Sequence, residues 1–230
     1  MRKLIFVFVL IFLSVPVIAD TLENSLDYTA GSVLVMDART GVVLYETEGH
    51  TRRYPASITK IMTALIVLEQ VEDLSERVIF SPRAVDLPSY ASRMHMEAGE
   101  SITVLQALYG IMLPSANDIA RALAEHVSGS TEEFVALMNL RAAELGAYNT
   151  RFINPCGLPG DNQYTTAHDI ALIKRAAIKN PLYVEIIGTP YFIATLHAFS
   201  KSEIVASGFR IVWSNIFAIS LRFNSMAVSS

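Results

Sequence analysis

Two short apolar runs on either side of a turn constrain this chain more than any other feature. Residues 32–36 (Ser-Val-Leu-Val-Met) and 42–45 (Val-Val-Leu-Tyr) are apolar and largely β-branched, and Asp37-Ala-Arg-Thr-Gly41 between them supplies turn residues. The pattern predicts a β-hairpin over residues 31–48. Strands that lack a polar face predict a sheet covered on both sides, and the sequence that follows offers helices as the cover.

The first helix is predicted over residues 57–70. Pro55 stands just ahead of it, and Ile61, Leu65 and Leu68 form part of an apolar stripe. Val78-Ile-Phe80 predicts a short strand that Ser81-Pro82 breaks. Further helices are predicted over residues 103–112, 116–126, 131–145 and 167–179. The third of these has Ser130 or Thr131 near its cap, Glu132 and Glu133 in its first turn and Gly146 as its stop. Asn154-Pro155 and residues 157–160 read as a loop. No internal repeat or low-complexity linker interrupts the chain. Residues 191–230 differ: they are rich in Ser, Phe, Ile and Ala, carry few charges and give weak turn signals. The stretch 211–223 is apolar enough to supply one strand.

At 230 residues the chain is long enough for one large domain, or for a domain with a small lobe. A composition 52% hydrophobic and 17% charged excludes a disordered chain. A formal net charge of −4 gives no basic footprint for nucleic acid. The lone Cys156 cannot form an internal disulfide, so the core must hold the fold. His50, His95, His126, His168 and His197 are scattered and show no metal-ligand spacing. No metal or cofactor is expected. Arg2 and Lys3, the apolar run over residues 4–15, and the small Val17 and Ala19 before Asp20 have the layout of a secretory signal peptide over residues 1–19. The run is short for a membrane span and Pro16 ends it. The mature chain is therefore expected outside the cytoplasmic membrane, as a secreted or periplasmic protein or on the cell-wall face of the membrane. No membrane anchor is identified.

Chemistry concentrates in two motifs. In Tyr54-Pro-Ala-Ser57-Ile-Thr-Lys60, positions i and i+3 share a helix face, so Lys60 can reach the Ser57 hydroxyl. A serine needs a neighbouring base, and a lysine serves if burial lowers its pKa. The helix N-terminus adds N–H groups and a positive dipole end beside a developing oxyanion. The bland reading is a capping serine and a solvated lysine. In Pro114-Ser115-Ala-Asn117, Ser115 could pass a proton from Lys60 to a leaving group, and Asn117 could bind substrate backbone and help hold Lys60. Here the bland reading is an N-cap followed by an early helix residue.

Together these motifs resemble those of the serine-type D-alanyl-D-alanine carboxypeptidases, the low-molecular-weight penicillin-binding proteins. The matching blocks are Met36-Asp-Ala-Arg-Thr-Gly-Val-Val-Leu-Tyr45, Tyr54-Pro-Ala-Ser-Ile-Thr-Lys-Ile-Met-Thr63, Met112-Leu-Pro-Ser-Ala-Asn-Asp118, Phe152-Ile-Asn-Pro-Cys-Gly-Leu158 and Tyr164-Thr-Thr-Ala-His-Asp169. The resemblance covers roughly residues 30–190 and fades after about Phe192. It implies an α/β (α+β) transpeptidase/β-lactamase-like fold: an antiparallel sheet flanked by helices, plus a helical lobe, incomplete at the C-terminus. A peptidase domain over residues 20–190 would precede a divergent segment over 191–230. The implied partner is the D-Ala-D-Ala end of a peptidoglycan stem peptide. Ser57 would be acylated, terminal D-Ala released and the acyl-enzyme hydrolysed, and β-lactam antibiotics would acylate the same serine. The family's third motif, Lys-Thr-Gly, does not follow Ser115. Arg39-Thr-Gly41 precedes the nucleophile and reads as a turn, and Lys201-Ser-Glu203 lacks the glycine. That departure keeps a second reading open, a non-catalytic cell-wall binding protein or inert remnant on the same scaffold. A β-lactamase is a third, and no glutamate is identified to activate its water.

Overall fold

The computed structural model describes residues 30–195, 203–207 and 216–221, and the predicted signal peptide lies outside them. Strands β1 (Ser32–Asp37) and β2 (Val43–Thr47) form the expected hairpin. In its turn the Asp37 carboxylate accepts hydrogen bonds from the Thr40 N–H and hydroxyl, both at 2.6 Å, and Gly41 takes φ +80°. Arg39-Thr-Gly41 is thus a hairpin turn, held from the other side by the Arg175 guanidinium, which donates to the Ala38 and Arg39 carbonyls.

The expectation that both strands are covered on both faces holds for β1 alone. Val33, Leu34 and Met36 are buried, whereas Val42 and Leu44 are 56% and 53% exposed. The strand order explains the difference. A later strand, β7 (Ile216–Leu221), pairs antiparallel with β1 in unbroken register from Ser32↔Leu221 to Asp37↔Ile216. The sheet order is β2-β1-β7, so β1 is central and β2 is an edge. The apolar stretch 211–223 therefore does contain a strand.

Helix α1 (Lys60–Gln70) follows a 3-10 turn, Ala56–Thr59, and is the centre of the molecule. Lys60 and every residue from Met62 to Val67 are buried, the mark of a helix packed on all sides. Beyond it come β3 (Arg77–Ile79), the short helix α2 (Pro82–Val85) and β4 (Ser101–Thr103), which pairs with β3. Ser81 does more than break a strand: its hydroxyl accepts from the Ala84 N–H and caps α2, with Pro82 in the first turn.

Helices α3 (Val104–Met112), α4 (Asn117–Ser128), α5 (Thr131–Glu144) and α6 (Ala167–Ala177) match the predicted periodicities within a few residues. Helices α3, α4, α5 and α6 all pack on α1. Helix α6 also lies on β1 and β7, linking the sheet to α1. Two helices escaped the sequence reading, the single turn α2 and the longer α7 (Pro181–Gly188), although Asn180 caps α7 by accepting from the Leu182 and Tyr183 N–H groups and Pro181 opens it. Its eight residues are too few to show a clear stripe. Strands β5 (Tyr191–Thr195) and β6 (Glu203–Ser207) form a second hairpin. The Phe192 ring stacks on Tyr109 of α3, with centroids 3.9 Å apart.

Helix α3 delivers the chain to the Ser-x-Asn turn, and a capping box starts it. Thr103 Oγ1 accepts from the Gln106 N–H at 3.1 Å, and Gln106 Oε1 accepts from the Thr103 N–H at 2.9 Å. Thr103→Ala removes one half of this box. The expected loss is about 1 kcal/mol of folding stability, measured by urea denaturation.

Candidate active site

Ser57 lies in the 3-10 turn and is exposed, while Lys60 begins α1 with 2% of its surface accessible. The i, i+3 spacing brings Lys60 Nζ to 3.3 Å from Ser57 Oγ. The second contact of the amine was not foreseen from the sequence: Nζ donates to the Cys156 carbonyl at 2.9 Å. Burial pushes the Lys60 pKa down to about 8, although the nearby Cys156 and Asp118 act to raise it. Desolvation outweighs both, and an ordinary lysine becomes a usable base near neutral pH.

The turn that carries Ser57 is tight. Ala56 has φ +46°, a left-handed conformation that a residue with a Cβ adopts only when its surroundings impose it. Gly157 lies against it: a Cβ added at Gly157 would fall 1.7 Å from the Ala56 carbonyl oxygen, and Gly157 itself has φ +80°. Asn154 ties the loop beside it by accepting from the N–H groups of Cys156, Gly157 and Leu158. Thr63 Oγ1, on α1, donates to the Pro155 carbonyl at 2.6 Å. Tyr54, three residues before Ser57, donates to the Leu158 carbonyl and accepts from the Gly160 N–H.

The second motif sits where α4 meets α1. Ser115 does not cap α4: the cap position is Ala116, and no side chain caps it. Ser115 instead takes φ +61°, and its hydroxyl is buried with no hydrogen-bond partner among the described residues. Asn117 opens the helix, and its Oδ1 is likewise buried and unpaired among those residues. Neither side chain hydrogen-bonds Lys60; the expected help from Asn117 in holding the amine falls to the Cys156 carbonyl. The Asn117 N–H donates to the Ser92 carbonyl at 2.9 Å. Asp118 anchors the segment opposite, accepting from the N–H groups of Met94 and Met96. Unpaired buried polar atoms beside a strained backbone are the signature of a site built to meet something else.

An exposed serine 3.3 Å from a desolvated lysine is the arrangement of active-serine acyl-transfer proteins. The chain belongs to the D-alanyl-D-alanine carboxypeptidase family, whose sequence model it matches over residues 19–209. It is 38% identical over 170 residues to the D-alanyl-D-alanine carboxypeptidase DacF of Bacillus subtilis, an alignment covering 72% of this chain and 43% of that protein. It is 35% identical over 159 residues to DacA of Escherichia coli, covering 66% of this chain and 40% of the relative. The chain thus spans about half the length, or less, of these relatives. Among solved structures it is similar to the Streptomyces K15 DD-transpeptidase, with a TM-score of 0.72 and 34% identity over 78% of this chain and 73% of that one. It is also similar to the D-alanyl-D-alanine carboxypeptidase DacD of Francisella tularensis, with a TM-score of 0.69 and 37% identity over 73% of this chain and 41% of that one. These neighbours place the chain in the transpeptidase-like fold that its motifs imply.

Gly157→Ala should undo the seam between the loop and the Ser57 turn. It combines a left-handed backbone with a collision against backbone rather than a movable side chain. The expected loss is at least about 2 kcal/mol in chemical denaturation.

Proposed function

We propose that this chain is a serine D-alanyl-D-alanine carboxypeptidase that removes the terminal D-alanine of peptidoglycan stem peptides through an acyl-enzyme on Ser57. The observation that carries this reading is the buried Lys60 amine, held near a pKa of 8 and 3.3 Å from the Ser57 hydroxyl. Neutral Lys60 takes the Ser57 proton while Oγ attacks the carbonyl carbon of the penultimate D-alanine. The oxyanion forms beside N–H groups of the turn that starts α1. When the C–N bond breaks, the departing amine takes back a proton from the Lys60 ammonium. Ser115, buried and unpaired among the described residues, is the hydroxyl suited to relay it. Asn117 offers an amide to the substrate backbone. Water then attacks the ester, with Lys60 again as base, and Ser57 is regenerated. A β-lactam carries a strained amide into the same attack and leaves a stable ester. Such a substrate lies outside the cytoplasmic membrane, so the reaction belongs there. Among the described residues no helix is long and apolar enough to cross a membrane.

Fluorescent penicillin, a denaturing gel and mass mapping of the adduct test the reading directly. The wild-type chain should be labelled on Ser57, and Ser57→Ala should carry no label. A folded wild-type chain without label would instead support a non-catalytic binding protein on this scaffold.

The pH dependence has a definite sign. The base is the neutral amine, so acylation should rise about tenfold per pH unit below 8 and level off above it. At pH 7 only about a tenth of the molecules hold Lys60 neutral. A stopped-flow acylation profile flat between pH 6 and about 9 would exclude Lys60 as the base.

A further inference from the structure

Residues 154–158 belong to neither catalytic motif, yet one of their carbonyls, that of Cys156, accepts from Lys60 Nζ. We propose that Asn154 is a positioning residue whose side chain holds the Cys156 carbonyl on Lys60 Nζ and so aims the amine's lone pair at Ser57. The inference rests on the roles given to Ser57 and Lys60 above.

The geometry follows from the peptide plane. In a trans peptide the N–H and the C=O point in opposite directions. The N–H of the Cys156–Gly157 peptide donates to Asn154 Oδ1 at 2.7 Å, and its carbonyl accepts from Lys60 Nζ at 2.9 Å. The preceding peptide repeats the pattern: its N–H, from Cys156, donates to Asn154 Oδ1 at 3.2 Å, and its carbonyl, from Pro155, accepts from Thr63 Oγ1 at 2.6 Å. Two successive planes are thus pinned by Asn154 on one edge and by α1 on the other. The Leu158 N–H adds a third donor to Oδ1 at 3.0 Å, and Asn154 Nδ2 returns a bond to the Leu158 carbonyl at 2.8 Å. Gly157 lets the pinned plane lie against the Ala56 carbonyl.

The consequence is directional. A neutral lysine amine has two N–H bonds and one lone pair, and it rotates freely when nothing holds it. With one N–H fixed on the Cys156 carbonyl, the orientations open to the lone pair narrow to those that include Ser57 Oγ. An amine misdirected by rotation is a poor base at any pH.

Two variants separate this role from a merely structural one. Asn154→Asp keeps an oxygen that accepts all three N–H groups, gives up only the Nδ2 bond to the Leu158 carbonyl, and places a negative charge one peptide plane from Lys60. The Lys60 midpoint should rise by about one unit, followed by heteronuclear NMR of the lysine side-chain nitrogens with Lys60→Met assigning the signal. The acylation profile should move up with it and recover its plateau. Asn154→Ala loses the acceptor, and its acylation should fall about a hundredfold at the alkaline plateau as well, with near-ultraviolet circular dichroism verifying the fold. An unmoved Lys60 midpoint in Asn154→Asp overturns the proposal, and so does an unimpaired plateau in Asn154→Ala. Should the wild-type chain take no β-lactam label, the reaction assigned above fails. The NMR titration would still decide whether Asn154 governs the amine.

Discussion

An amine with 2% of its surface exposed must either find hydrogen-bond partners or give up its proton, and Lys60 does part of each. It donates to one backbone carbonyl, faces one hydroxyl, and has its pKa drawn down to about 8. Both partners must be present, because a buried lysine with neither would be a large defect in the centre of the core. The helix bearing it is packed on every side by α3, α4, α5 and α6. That packing excludes water from the amine, and the sheet contributes through α6, which lies on β1 and β7.

The same enclosure accounts for the strained backbone. Ala56 and Ser115 both take left-handed φ without being glycine, one just before Ser57 and one at the second motif. Each such residue costs roughly 1–2 kcal/mol, which isolated loops would relax. Here the relaxation is blocked. Ala56 is held by the close approach of Gly157, and Ser115 lies between the end of α3 and the start of α4, where the Ala116 N–H donates to the Gly110 carbonyl at 3.1 Å. Well-packed helices on either side can impose a conformation that the local sequence disfavours.

This division also explains what could be read from the sequence. Features that depend on neighbours in the chain were legible: the hairpin and its Asp37–Gly41 turn, the periodic helices, and the Ser57–Lys60 pair, whose contact is one helical turn. Features that depend on distant segments were not. The Cys156 carbonyl that accepts from Lys60 lies 96 positions away, and a backbone carbonyl leaves no mark on composition. The exposure of β2 follows from β7 taking the other side of β1, a pairing no local pattern encodes. Beside its reading as a proton relay, Ser115 also read as a cap, because serine before a helix usually is one. Its positive φ turns the hydroxyl away from that role. The loop over residues 154–158 was visible as a block of family likeness, but its hydrogen bonds to α1 were not.

The electrostatics of the pair can be argued one step further. Asp118 and Cys156 both act to keep Lys60 charged, and burial still prevails. Part of the reason lies in how each is engaged. The Asp118 carboxylate accepts from the Met94, Met96 and Ile119 N–H groups, so its charge is shared among donors that also fix the segment opposite. The Cys156 thiol is held in its neutral form by the same burial, which raises its pKa. It therefore brings no full negative charge to the amine at neutral pH. A carboxylate without those donors, or a thiolate, would hold the ammonium more firmly. The N–H groups around Asp118 and the apolar surroundings of Cys156 thus act on Lys60 at one remove, by limiting how strongly its neighbours can favour the protonated form.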